Sequence, residues 1–214
     1  MITLADHLPL SAPLTLMVDP SGHCNFRCTF CPTGDHDLLK DVGRRAGYMS
    51  LDLFAKLMGD LGSFPTQPKT CLMYLEGEPL MNKGIARMVA MAKDFWPEMR
   101  VEITTNAALL TPKMSADLIA AGLDHLRVSV EAVDDIGYRA ITKTNGDIGN
   151  IIDNVYSFRL TRFYHRSKCT IHAKIPDTGL SEDDKALFRA TWAPIADTVN
   201  VDSLFAWSEH PETQ

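Results

Sequence analysis

The run Cys24-Asn25-Phe26-Arg27-Cys28-Thr29-Phe30-Cys31 decides how this 214-residue chain is interpreted. Its three cysteines have the spacing C-x3-C-x2-C, and an aromatic residue stands just before the last of them. Because iron–sulfur clusters are held by cysteine thiolates, three thiolates can hold three irons of a cubane. The fourth iron would then lack a protein ligand and be open to chemistry. The run therefore predicts a [4Fe-4S] cluster, with Cys24, Cys28 and Cys31 as metal ligands and reactive centre.

Two other interpretations of these cysteines stay open on the run alone. A C-x2-C pair in a cytosolic protein can be a thioredoxin-like redox motif. Three cysteines and one histidine can hold zinc in a structural module, and His23 and His36 are close enough in sequence to be the fourth ligand. A zinc module predicts one zinc per chain and no brown colour.

Composition narrows the class of protein. The formal charge of −6 and pI of about 5.6 do not suggest nucleic acid or an anionic membrane as a partner. The first residues lack the basic region of a signal peptide, and no apolar run approaches the length of a membrane span. Cys71 and Cys169 lie far from the other cysteines, which fits a reducing compartment better than a disulfide framework. We therefore expect a cytoplasmic protein.

A strand-like run followed by a helix-like run occurs five times, and a sixth strand-like run follows. This alternation predicts an α/β fold with parallel strands and helices outside, a partial (β/α)6 barrel. We assign residues 14–207 to the barrel, 1–13 to a lead-in and 208–214 to a tail. Helix starts are predicted at Ser50, Asn82, Thr111 and Ser181, and a long helix carries Ile148 to Phe158. The predicted strands are Leu14–Asp19, Thr70–Glu76, Arg100–Thr105, His125–Glu131, Cys169–Lys174 and Thr198–Asp202.

Polar and apolar residues alternate within these strands. If helices cover one face of the sheet, the apolar set must face them, and the polar set then lines a concave face suited to a polar ligand. Candidates for substrate contact on that face are Tyr74, His172, Lys174 and Asp202. An alternative for the polar residues Glu102, Arg127 and His172 is that they pair with one another as structural ions.

The cysteine run resembles the cluster motif of the radical SAM superfamily. A second segment, Leu75-Glu76-Gly77-Glu78-Pro79-Leu80, resembles the G-G-E-P motif of that family, with Glu76 in place of the first glycine. The resemblance implies that S-adenosylmethionine (SAM) chelates the fourth iron through its amino and carboxylate groups. One electron from the reduced cluster then cleaves SAM to a 5′-deoxyadenosyl radical, which abstracts hydrogen from an unknown substrate. It also implies an electron donor such as flavodoxin or ferredoxin.

The resemblance extends to the predicted SAM-binding residues. Glu78 or its neighbouring backbone would hold the SAM amino group, within a turn made by Gly77 and Pro79. Asn106, in a segment that resembles T-N-G, would add polar contacts. The remaining carry-overs are Ser129 and Glu131 at the ribose and methionine end, Lys143 (with Arg139 as competitor) at the SAM carboxylate, and Phe30 and Leu204 at the adenine.

The segment from Arg44 to Ser50 resembles the SPASM-type subgroup, whose members carry auxiliary clusters in a cysteine-rich C-terminal extension. No cysteine follows Cys169 here. The chain is then either a truncated core or a short member whose barrel is closed by a partner chain. A non-catalytic subunit that binds SAM or a cluster is a further alternative. The substrate, small molecule or peptide, and the reaction subclass (oxidoreductase, maturase or transferase) are not determined by the sequence.

Overall fold

The computed structural model describes residues 10–44 and 46–203. Six parallel strands form one sheet in chain order, β1 to β6. The predicted barrel topology is confirmed. The strands are β1 (Thr15–Val18), β2 (Thr70–Met73), β3 (Arg100–Thr105), β4 (His125–Ser129), β5 (Thr170–Asp177) and β6 (Thr198–Ser203). The helices are α1 (His36–Asp41), α2 (Leu51–Asp60), α3 (Ile85–Phe95), α4 (Pro112–Ala120), α5 (Asp135–Thr142), α6 (Ile148–Tyr164) and α7 (Glu182–Trp192).

Three of the predicted helix starts carry the hydrogen bonds that cap a helix. The Ser50 hydroxyl accepts from the Leu53 N–H at 3.1 Å, which satisfies a backbone donor that the first turn leaves free. Thr111 caps α4 and is followed by proline at the first helical position. Ser181 and Asp184 form a capping box at the start of α7. Helix α3, however, begins at Ile85 rather than at Asn82, behind a short 3₁₀ turn.

The structure also contains elements that periodicity did not predict. Strands β2 and β4 end earlier than expected, so the candidate residues Glu76, Glu78 and Glu131 lie in the loops beyond them. Helix α1 follows the cysteine run, and α5 precedes α6. Helix α5 begins where the Asp134 carboxylate accepts from the Gly137 N–H at 2.7 Å, and it ends at Lys143, whose φ of +55° lies in the left-handed region.

The core lies between the sheet and its helices. Leu126, Val128 and Ile171 point toward the helices and are fully buried, while Arg127 and Ser129 on the opposite face are partly exposed. Burying an aliphatic side chain of this size contributes about 1.5–3 kcal/mol. In β4 and β5 the buried apolar residues alternate with partly exposed polar residues, as predicted. No helix among the described residues is both long and apolar enough to cross a lipid bilayer.

Candidate active site

The cysteine loop follows β1 and holds all three thiols in partly exposed positions. Two tight turns shape it: the Cys31 N–H donates to the Cys28 carbonyl at 3.0 Å, and the Gly34 N–H donates to the Cys31 carbonyl at 2.9 Å. The Phe26 N–H points at the Cys24 sulfur at 3.4 Å. Hydrogen bonds to the sulfurs of a cluster help to set its reduction potential. The backbone of the loop thus directs an N–H at a cysteine sulfur that would ligate the cluster.

Helix α5 supports the cysteine loop from one side. The Arg27 N–H donates to the Thr142 carbonyl at 2.9 Å, and the Thr29 N–H donates to the Ile141 carbonyl at 3.1 Å. These carbonyls lie in the last turn of α5, where no helical partner is available to them. The loop therefore takes its position from a helix more than 100 residues further along the chain.

The thiols of Cys24 and Cys28 lie near enough to each other and to Cys31 to interact electrostatically, and burial favours the uncharged form of Cys24 and Cys28. Burial raises the pKa of the Cys28 thiol far above its ordinary value, and Glu131 and the thiols of Cys24 and Cys31 raise it further. Burial likewise raises the pKa of Cys24 to about 11. Since the thiolate is the form that binds metal, iron would displace these protons, and the three-sulfur donor set fits an iron–sulfur cluster. In the part of the chain that the structure describes, no three His, Cys, Asp or Glu side chains lie close enough together to ligate a single metal ion.

Gly77 lies against the backbone that leads into the cysteine loop. A β-carbon added at Gly77 would overlap the Ser21 carbonyl oxygen and come within 2.5 Å of the His23 carbonyl oxygen. The next N–H, of Glu78, donates to that same His23 carbonyl at 2.8 Å. The glycine is therefore required because two segments of this protein's own backbone meet there.

The Glu78 carboxylate is buried and is held entirely by protein donors. It accepts from the Thr105 hydroxyl at 2.6 Å, the Asn106 N–H at 2.8 Å and the Leu80 N–H at 3.0 Å. Burial raises the pKa of Glu78 to about 7, and these three donors oppose that rise. The side chain joins the end of β2 to the end of β3. That the Glu78 carboxylate or its neighbouring backbone holds the SAM amino group stays a prediction.

We expect Glu78→Gln to destabilise the fold by about 2 kcal/mol. An amide must turn its NH2 group toward at least one of the backbone N–H donors of Leu80 and Asn106, which leaves that donor without an acceptor. Urea unfolding at pH 7.5 measures the loss. Glu98→Gln, the same change at an exposed position, is the control, and an equal loss in both variants would contradict this assignment.

Asn106 joins the end of β3 to the cysteine loop. Its side-chain NH2 donates to the Asn25 side-chain oxygen at 2.9 Å, and its own oxygen accepts from the Ala108 N–H at 3.0 Å. The next residue, Ala107, has a φ of +59°, a left-handed conformation that costs a non-glycine residue about 1 kcal/mol. Asn106 thus connects two loops, and its contact with SAM stays a prediction.

A cavity of about 820 Å³ opens at the carboxyl ends of the strands. This is the edge at which parallel sheets usually bind their ligands. Its walls come from the cysteine loop and from the ends of β2, β4, β5 and β6. The lining residues are Phe30, Cys31, Pro32, Thr33, Arg44, Leu75, Glu76, Ser129, Glu131, Lys174, Pro176, Asp202 and Ser203.

Glu131 is the most buried charged group of this cavity, with 8% of its surface exposed. Burial raises its pKa to about 7, while Lys174 acts in the opposite direction. Lys174 also lies 3.5 Å from the Asp202 carboxylate, and it is paired in register with Ser129 across β4 and β5. The hydroxyl of Ser129, the two carboxylates and the ammonium therefore share one wall. The contacts of Ser129 and Glu131 with SAM stay predictions.

Arg44 and Glu76 form the opposite charged part of the cavity. Their guanidinium and carboxylate groups are 2.5 Å apart. The Thr33 hydroxyl donates to the Glu76 carbonyl at 2.6 Å and accepts from Arg44 at 3.2 Å. Glu76, which replaces the first glycine of the G-G-E-P motif, thus bonds to Thr33 and Arg44 in the segment that follows the last cysteine. Glu76 contributes a carboxylate to the cavity wall.

The two predicted partners of the SAM carboxylate do not line this cavity. Lys143 lines a second cavity of about 560 Å³ on the other side of the cysteine loop, beside two of the cysteines. The Arg139 side chain donates to the Gly146 carbonyl at 3.0 Å. The cations that do line the main cavity are Arg44 and Lys174. Phe30, within the cysteine loop, lines the main cavity, and its contact with the adenine stays a prediction. Leu204 lies outside the described residues.

Solved structures of low sequence identity share this fold. Streptococcus suis SuiB bound to S-adenosylmethionine matches with a TM-score of 0.70 at 16% identity, over 96% of this chain and 42% of that chain. Native anSMEcpe with bound AdoMet matches with a TM-score of 0.70 at 12% identity, over 94% of this chain and 55% of that chain. The sequence itself matches the radical SAM superfamily over residues 18–173.

The chain belongs to the radical SAM superfamily. The matched region contains the cysteine loop, the Gly77-Glu78-Pro79 turn and the ends of β3 and β4. The predicted cofactors, a [4Fe-4S] cluster and SAM, are those of this superfamily and are confirmed by membership. The zinc module and the non-catalytic subunit are not favoured. The SPASM-type assignment stays a prediction.

Curated relatives of this radical SAM chain share part of their length with it. A GTP 3′,8-cyclase of Heliobacterium modesticaldum is 32% identical over 144 residues, which are 64% of this chain and 39% of the cyclase. A GTP 3′,8-cyclase of Geobacter sulfurreducens is 28% identical over 140 residues, 65% of this chain and 40% of the cyclase. The chain spans about two fifths of the length of these relatives.

Several residues that position the radical SAM site were missed in the sequence. Asn25 and Thr105 bond to Asn106 and Glu78, and Gly34 lies so close to the cysteine loop that a β-carbon would come within 2.7 Å of the Cys28 carbonyl. A glycine three residues after the last cysteine is the signal that identifies Gly34. The contacts of Asn25 and Thr105 have no local signal, because their partners lie far away along the chain.

Proposed function

We propose that this chain is the radical-generating core of a radical SAM enzyme. The observation that carries the proposal is that Cys31 opens into the same cavity as Ser129, Glu131 and Lys174. When bound there, the cluster supplies one electron, and SAM supplies the 5′-deoxyadenosyl radical that takes hydrogen from the substrate. The thiols of Cys24, Cys28 and Cys31 would hold three irons, and of the three cysteines Cys31 lines the cavity.

The charges of the cavity support SAM as its ligand. Three carboxylates (Glu76, Glu131 and Asp202) stand against two cations (Arg44 and Lys174), which leaves one negative charge. SAM carries a sulfonium, an ammonium and one carboxylate, so its net charge is complementary. Glu131 would accept hydrogen bonds from the ammonium or the ribose hydroxyls, and Lys174 would meet the carboxylate. Phe30 offers an apolar ring for the adenine.

The remaining partners follow from this chemistry. A reductant must deliver one electron, and flavodoxin or ferredoxin is the expected class. The substrate, small molecule or peptide, would enter from the open side of the sheet, whose edge strands are β1 and β6. A partner chain or a C-terminal part would close that side.

The experiment is an anaerobic turnover assay. The protein is reconstituted with iron and sulfide and reduced with dithionite in the presence of SAM, and 5′-deoxyadenosine is measured by mass spectrometry. Formation of 5′-deoxyadenosine that depends on the cluster and on SAM supports the proposal. A fully formed cluster that yields none refutes it for this chain. Because the curated relatives are named for GTP, GTP is the first substrate to add, and its consumption would assign it.

Glu131→Gln separates ligand binding from stability. We expect SAM to bind about tenfold more weakly, or about 1.4 kcal/mol, because the amide has no charge for the ammonium. The cluster-free variant should be more stable than the wild type by about 2 kcal/mol at pH 8. The folded-state pKa of Glu131, about 7, lies above its ordinary value, so the wild type loses stability as the pH rises through 7. Glutamine has no such loss.

Calorimetric SAM titrations of the reconstituted proteins, and urea unfolding of the cluster-free proteins at pH 5 and pH 8, test both statements. The stability difference between Glu131→Gln and the wild type should be larger at pH 8 than at pH 5. Glu98→Gln serves as the exposed control. Unchanged SAM affinity in Glu131→Gln would remove Glu131 from the binding site.

A further inference from the structure

Arg127 lies on the inner face of the sheet, one row deeper than the cavity. It is two residues before Ser129 on β4, which places it about 7 Å further along the strand. Its register neighbours are Thr104 on β3 and His172 on β5. Arg127 thus stands beneath the wall that would hold SAM, one row further from the carboxyl ends of the strands.

This arginine has no counter-ion in the described part of the chain. None of its nitrogens lies within 4.0 Å of a carboxylate oxygen there. Its Nη1 donates to the Tyr74 hydroxyl at 3.2 Å, and its guanidinium carbon is 5.9 Å from the centre of the Tyr74 ring. Its Nε is buried and has no hydrogen-bond partner. Glu102, an acid of the same face, is paired instead with Arg100 at 2.8 Å. The predicted alternative, mutual pairing of Glu102, Arg127 and His172, does not occur.

The Arg127 guanidinium has N–H donors that are free to bind a ligand. Arginine presents five donors in a planar fork, and of these the structure shows one directed at a protein acceptor. Partly buried charges and buried donors are costly when they are unpaired, and proteins normally pair them. The carboxylate and phosphate groups match the fork with two parallel hydrogen bonds. Of the groups that a ligand can carry, an oxyanion is therefore the best match for this guanidinium.

Its neighbours add further donors at the same level. The Thr104 hydroxyl is buried and lacks a hydrogen-bond partner. The His172 ring uses Nδ1 in a 2.6 Å contact with the Thr198 hydroxyl, so its Nε2 remains for another group. The inner face at this row thus brings a cation and two polar groups together without a protein acceptor for them.

We infer that Arg127, with Thr104 and His172, binds an oxyanion group, a carboxylate or a phosphate, that is carried by the substrate. The inference deepens the proposed function and rests on it, because SAM would occupy the cavity one row above. Lys174 lines that cavity and would meet the carboxylate of SAM. A substrate whose anionic group binds Arg127 would direct the rest of the molecule toward the cavity. The end of the substrate opposite the anion would then be the end that meets the radical.

Titration calorimetry on the reconstituted, SAM-saturated protein tests the inference, with inorganic pyrophosphate and succinate as probes. We expect one of the two to bind at a single site, and the one that binds distinguishes phosphate from carboxylate. Arg127→Gln should weaken that binding at least tenfold. Arg166→Gln removes the same charge from an exposed position at the end of α6 and should leave it unchanged. If neither probe binds the wild type, or if Arg127→Gln binds as tightly, the inference is wrong.

A second variant covers the case in which Arg127→Gln does not fold. Tyr74→Phe deletes the hydroxyl that orients the guanidinium and should weaken probe binding about fivefold. Unchanged affinity in this variant would also count against the site. SAM binding, measured in the same samples, reports on the proposed function separately. Probe binding is repeated without SAM, so that a protein unable to bind SAM still shows whether Arg127 takes the anion.

Discussion

Gly77→Ala is expected to prevent assembly of the site and to destabilise the fold by at least about 3 kcal/mol. The new methyl group would overlap the Ser21 carbonyl oxygen, and both contacts are backbone atoms that cannot move as a side-chain tip can. The backbone must separate there, which breaks the hydrogen bond from Glu78 to His23, the residue just before Cys24. The cysteine loop then loses its position relative to the cavity.

Thermal unfolding and the iron and sulfide content after reconstitution measure these two effects. Gly59→Ala is the matched control, because a β-carbon at Gly59 in α2 would meet no atom within 4 Å. A helical glycine replaced by alanine should gain about 0.5–1 kcal/mol and keep the full cluster. A Gly77→Ala protein with wild-type stability and iron content would show that the two backbones do not need this contact.

The parts of the structure that could be predicted are those with local physical causes. Helix starts at Ser50, Thr111 and Ser181 depend on a side chain and a backbone N–H three residues away, so the sequence pattern contains both partners. The inner and outer faces of β4 and β5 follow from alternation along a single strand. The cysteine spacing likewise lies within eight residues.

The parts that could not be predicted depend on contacts between distant segments. Glu78 was expected near the ligand, but its carboxylate is enclosed by donors that lie 27 and 28 residues away on β3 and the following loop. The resemblance to the radical SAM family predicts Lys143 at the SAM carboxylate. The left-handed end of α5 places it by the second cavity instead. Ion pairs between different strands, such as Lys174 with Asp202, cannot be recognised from the periodicity of either strand.

Cys28→Ala is expected to abolish the cluster and, with it, all formation of 5′-deoxyadenosine. Two thiols cannot hold the three irons that the arrangement requires. Cys28 lies between the other two cysteines in sequence, and both of them raise the pKa of its thiol. Absorbance near the iron–sulfur charge-transfer bands, iron content and mass spectrometry of the turnover mixture are the three measurements. The fold should persist, since the loop is also held by the bonds from Arg27 and Thr29 to α5.

Cys169→Ala is the control that makes this result specific. Cys169 is buried at the start of β5, outside both the cysteine loop and the cavity lining. Its loss should cost about 1 kcal/mol of packing and leave cluster content and 5′-deoxyadenosine at wild-type levels. If Cys28→Ala retained the cluster, the ligand assignment would be wrong. If both variants lost the cluster while remaining folded, cluster assembly would depend on the number of thiols and not on the C-x3-C-x2-C spacing. The cavity beside Cys31 would then no longer identify the place of the reaction.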